Sequence, residues 1–125
     1  MTLANENLTL NGNLDVLGNA IFTNPCWVDV SINLASGIPY FIRANGGRHT
    51  ATSVVRVTGQ PTGEVQFDFP AHPQGANYFF NFAGVNCHVA QHATVRTSTR
   101  FSVVMRNETT GSIIDKEAHV FIMAY

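Results

Sequence analysis

The chain has 125 residues, so one domain with a real but modest core is expected. Charged residues make up only 12% of it, the formal net charge is −1, and Lys116 is the sole lysine. The lack of a basic run and of any long apolar stretch argues against nucleic-acid binding and membrane insertion.

Polarity comes instead from asparagine, threonine and ten glycines, which suits a surface that packs on copies of itself or meets neutral sugars. The first twenty residues lack the basic and apolar regions of a secretory leader. They carry a six-residue beat instead: Leu8 and Leu10 before Gly12-Asn13, then Leu14 and Val16 before Gly18-Asn19, then Ala20 and Phe22. Glycine and asparagine supply tight turns, and the alternating apolar residues supply short one-sided strands. Such units bury their apolar side only against copies of themselves. Residues 1–24 therefore read as a fibre-shaft β-repeat, and residues 25–125 as a folded head. A stub that starts in mid-repeat is expected of a piece of something longer.

After Asn24-Pro25, Trp27 to Leu34 alternates, with Val28, Val30, Ile32 and Leu34 on one side and Trp27, Asp29, Ser31 and Asn33 on the other. Gly37 to Pro39 turns the chain, Tyr40 to Arg43 is a short strand, and Asn45-Gly46-Gly47 is a hairpin signal. Ala51 to Thr58 is β-branched. Glu64 to Phe69 predicts a half-buried strand with Val65, Phe67 and Phe69 inward and Glu64, Gln66 and Asp68 in water. The proline-bracketed loop 70–75 leads to a strand over 77–82, with Tyr78, Phe80 and Phe82 on one side. Further strands are predicted at Cys87 to Thr97 and Arg100 to Arg106, then a turn at Asn107 to Gly111 and a closing pair over Ser112 to Tyr125. No 3.6-residue period persists. Eight to ten short strands in about a hundred residues predict an all-β sandwich, with the jelly roll as the expected arrangement.

The last strand is apolar on both faces, with Val120, Ile122 and Ala124 on one and Phe121, Met123 and Tyr125 on the other. A strand of this kind in an antiparallel sheet needs two covers. The core is one. Neighbouring subunits are the other, with a loop of the same chain as the alternative. A homotrimer is the simplest closure beneath a shaft, so Val120, Phe121, Ile122, Met123 and Tyr125 are the candidate interface.

Chemistry-bearing patterns are sparse. His88 and His92 share a strand face, but their Cα atoms stand about 13 Å apart, too far for one ion within one chain. Glu64 and Asp68 are separated as widely, beyond a glycosidase pair. Asp115 and Glu117 read as a solvated hairpin end. Neither a nucleophile elbow nor a zinc motif occurs, so no catalysis, metal or cofactor is expected. Cys26 and Cys87 read as buried free thiols, with one internal bridge as the alternative. Aromatics on polar faces suit a sugar-binding surface better, and Trp27, Tyr40, Arg43 and His72 are the candidate ligand-binding residues, with packing as the alternative for each.

The stretch Leu8 to Ala20 resembles shaft repeats of trimeric phage tail fibres and of surface proteins of large DNA viruses. The rest, from Trp27-Val28 through His72-Pro73-Gln74-Gly75-Ala76-Asn77-Tyr78 to the apolar carboxyl end, is similar to head domains of chlorella-virus surface proteins. The resemblance implies a trimeric jelly-roll head of the complement-C1q or tumour-necrosis-factor type, displayed on a shaft at the virion surface for host attachment, and recognition of host-surface glycan is the first expectation for how it attaches. The resemblance carries no residue roles with it. A head that serves only as a trimerisation and folding cap is the alternative.

Overall fold

The structure, a computed structural model, describes residues 11–12, 24–59 and 62–125, and for 92–95 the backbone only. The shaft repeat thus falls almost wholly outside the described residues. Eight strands and no helix occur among them: β1 (Cys26–Asn33), β2 (Tyr40–Arg43), β3 (Ser53–Arg56), β4 (Glu64–Asp68), β5 (Phe80–Val85), β6 (His88–Arg96), β7 (Arg100–Arg106) and β8 (Glu117–Met123). They form two four-stranded antiparallel sheets, ordered β2-β1-β8-β5 and β3-β4-β7-β6. The chain is a β-sandwich.

Alternation explains which side of each strand is dry. Val28, Val30 and Ile32 of β1 and Ala118, Val120 and Ile122 of β8 face Val65 and Phe67 of β4 and Phe101, Val103 and Met105 of β7. Aromatic rings bridge the layers. Phe80 meets Phe101 at 4.8 Å between centroids, and Phe41 meets Phe67 edge-on at 6.4 Å. Such tilted pairs add to the burial of their large apolar area. Both cysteines are free, Cys87 buried and Cys26 half-buried, and burial pushes both thiols above their ordinary range.

Four expectations need correction. Val120 and Ile122 are fully enclosed by the chain's own core, so another copy cannot reach them. Glu64 does not face water but is only 7% exposed. Alternation fixes the side a residue takes, not whether that side is open. The signal at Asn45 to Gly47 makes no hairpin, because β2 and β3 lie in different sheets. There the backbone turns back along the start of β1, with Gly46 N–H donating to the Asp29 carbonyl and His49 N–H to that of Trp27. The closing pair is one strand, β8, preceded by a single bridge from Ile113 to Arg106.

Candidate functional site

The sequence-predicted ligand residues fall in two places. Trp27 and His72 come together at one end of the sandwich. The β1–β8 register shifts between Cys26 and Val28, and such a bulge re-aims the side chain beside it. Trp27 accordingly packs against the core instead of standing free on the polar side of its strand. Its indole N–H donates to the Pro70 carbonyl at 2.8 Å, and its ring meets His49 at 4.1 Å and His72 at 5.3 Å. His72 is interior, 4% exposed, and so is not a surface contact. Tyr78 completes the cluster, its ring 5.0 Å from His72 and its hydroxyl donating to the carbonyls of Thr97 and Arg100. Burial pushes the Tyr78 phenol up to about 12. The Arg96 guanidinium lies 5.0 Å from the ring centres of both Tyr78 and Phe80 and donates to the Ala76 carbonyl at 2.6 Å.

Tyr40 and Arg43 lie elsewhere, on edge strand β2 beside the outer face of the β8 sheet. Register sets that face out in rows. Asp29, Phe121 and Asn81 form one row, Ser31, His119 and Ala83 the next, and Asn33, Glu117 and Val85 the third. Arg43 pairs opposite Ser31, and Tyr40 opposite Asn33. The polar middle is internally bonded. Arg43 Nη2 donates to Asp29 Oδ1 at 2.6 Å, Ser31 Oγ and His119 Nδ1 share a hydrogen bond of 2.7 Å, and His119 Nε2 lies 3.7 Å from Glu117 Oε1.

Beyond Phe121 the same face turns apolar. Met123 N–H bonds the Phe79 carbonyl at 2.8 Å, which sets Phe79 beside it. Phe79, Phe121 and Tyr125 are 71%, 38% and 62% exposed, so the described residues leave these rings uncovered. Of the candidate interface, Phe121 and Tyr125, with half-buried Met123, are therefore the residues open to a partner. Sequence reasoning put Ser31 on the polar side of its strand but named neither it nor His119 nor Phe79 among the candidate residues, and did not join the three into one face. The strand period in β8 already placed His119 in line with Phe121, whereas the β5 register had to be seen to bring in Phe79.

Ser31, His119 and Glu117 have the composition of a hydrolytic triad, but Ser31 is buried and its strand's N–H groups are engaged in the sheet ladders on both sides. The described residues contain no group of three or more histidine, cysteine, aspartate or glutamate side chains placed to hold a metal ion. No protein-family model, curated protein or solved structure matches the chain.

Proposed function

We propose that this chain is the head of a viral surface fibre, a jelly-roll β-sandwich that associates as a trimer through the outer face of the β8 sheet and attaches to host-cell carbohydrate. The observation that carries the reading is the uncovered apolar end of that face, where Phe79, Phe121, Met123 and Tyr125 adjoin a polar row already bonded within itself. Contiguous exposed apolar surface marks interaction sites, and a pre-bonded polar neighbour meets a partner without leaving charges unpaired. Nested antiparallel pairing, β1 with β8 and β4 with β7, supports the jelly-roll arrangement. Tyr40, exposed on edge strand β2, is the part of the candidate sugar surface left to solvent at the margin of that face, whereas Arg43 is bonded to Asp29 in the polar row that meets the partner. Three such sites on one particle multiply weak glycan contacts through effective concentration.

Light scattering tests assembly. The wild-type chain is expected at three times its monomer mass, and Phe121→Arg at the monomer mass with the fold intact. A wild-type chain that stays single at high concentration overturns the trimer. Pull-down on host cell-wall glycan tests attachment, with Tyr40→Ala expected to lose most of the bound protein. A trimer that binds no glycan leaves the second reading, a trimerisation and folding cap. That reading is favoured by Trp27 and His72, which turn inward to hold the fold.

A further inference from the structure

His72 is a buried titratable group that the proposed function leaves unused. Its two ring nitrogens are engaged in opposite senses. The Gln74 backbone N–H donates to Nδ1 at 3.0 Å, so Nδ1 carries no proton. The ring proton therefore sits on Nε2, which donates to the Met123 carbonyl at 2.6 Å. Geometry selects one neutral tautomer, and that tautomer ties loop 70–77 to the end of β8.

Aromatic rings and basic groups surround the ring. Trp27 from β1 and Tyr78 from the segment before β5 flank the ring at 5.3 Å and 5.0 Å. Behind them stand His49, against Trp27, and the Arg96 guanidinium of β6, against Tyr78. Both are basic, and no carboxylate among the described residues pairs with His72. A proton added at Nδ1 removes the acceptor for Gln74 and turns N–H against N–H. It also places a cation where only 4% of the residue meets water.

We infer that His72 is an acid-sensitive latch, whose protonation frees loop 70–77 and the carboxyl-terminal end of β8 while the sandwich core stays folded. The bonds clustered there open together: Met123 N–H to Phe79, Ala124 N–H to Pro25, and the Trp27 indole to Pro70. Phe79, Met123 and Tyr125 then lose their fixed places on the outer face. An effect on assembly rests on the proposed trimer, whereas the latch does not.

Amide hydrogen exchange read by mass spectrometry, corrected for intrinsic rates, tests the latch between about pH 8 and about pH 5, where imidazoles change charge. Peptides covering 70–78 and 121–125 are expected to lose about tenfold or more of their protection, while β4 and β7 keep theirs. His72→Gln, which keeps a donor for Met123 and cannot charge, is expected to hold its protection across the range. Loss that is absent or uniform in the wild type, or equal in His72→Gln, overturns the inference. Should His72→Gln fail to fold, His49→Gln decides: selective loss that persists supports His72, and loss that vanishes assigns the effect to His49 and overturns it. Scattering on the same samples separates the two ideas, since a chain of monomer mass at both ends of the range sinks the trimer and leaves the latch to the exchange result.

Discussion

Gly63 and Asp115 show how closely single residues are held at the entry to β4. Gly63 has φ +67°, and a Cβ there would run into the Ile113 side chain and come within 2.7 Å of the Ile114 carbonyl oxygen. Gly63→Ala therefore adds a left-handed penalty to a backbone clash. It should destabilise the fold by about 2 to 3 kcal/mol, read as a lower urea midpoint. Asp115 accepts both Arg56 guanidinium bonds at 2.9 Å and the Gly63 N–H at 2.7 Å. The Arg56 bonds, helped by Gly63, hold its carboxyl below the usual carboxylate range against the opposing effect of burial. Arg100 and Ser53 do the same for Asp68. A carboxyl depressed in the folded state contributes stability that is fully present above its unfolded value and lost as pH falls through its folded value. Urea midpoints should thus stay level from about pH 7 to about pH 5 as far as these groups govern, then drop below about pH 4. Asp115→Asn should lower the neutral midpoint and flatten part of that acid limb.

At the scale of elements, β8 decides the most, because it lies between β1 and β5 and differs in what covers its two faces. Ile122 is wholly enclosed, so Ile122→Ala should cost about 2 to 5 kcal/mol in transfer and cavity terms. Phe121→Ala should cost the isolated chain about 1 kcal/mol or less and instead weaken association. Urea unfolding of both variants beside their scattering masses checks the contrast. The same strand shows what the sequence made readable. Period-two alternation in 28–34 and 65–69 gave the correct inward sides, because one dry face leaves only one workable register, whereas in 120–124 it separated the two faces without telling which was inward. It did not reveal that Val120 and Ile122, though next to Phe121, are beyond a partner's reach, or that Glu64 is covered. Nor could local signals gather the His72 site. Trp27, Met123 and Tyr78 reach that ring from three separate segments, one of them 51 residues away, and the bulge that re-aims Trp27 arises from pairing and not from composition.

For the whole molecule, the governing fact is that β1, the first of the described strands, pairs with β8, the last, along nearly its full length, from Cys26 opposite Met123 to Asn33 opposite Glu117. Closing so long a stretch of chain costs conformational entropy before the pairing returns anything, so folding should be slow for this size, in the millisecond-to-second range. The order of the β8 sheet sharpens the consequence. Without β8, β1 and β5 have no strand between them, and the inner residues of β4 and β7 lose Ala118, Val120 and Ile122 as their facing layer. A chain ending at Lys116 should therefore lose the cooperative unfolding transition altogether and not merely shift it. The near-ultraviolet circular dichroism of its aromatic core should collapse with it. Retention of a sharp urea transition in that truncated chain would mean that the β7 sheet folds by itself. The reading of the last strand as the closing element of the sandwich would then be wrong.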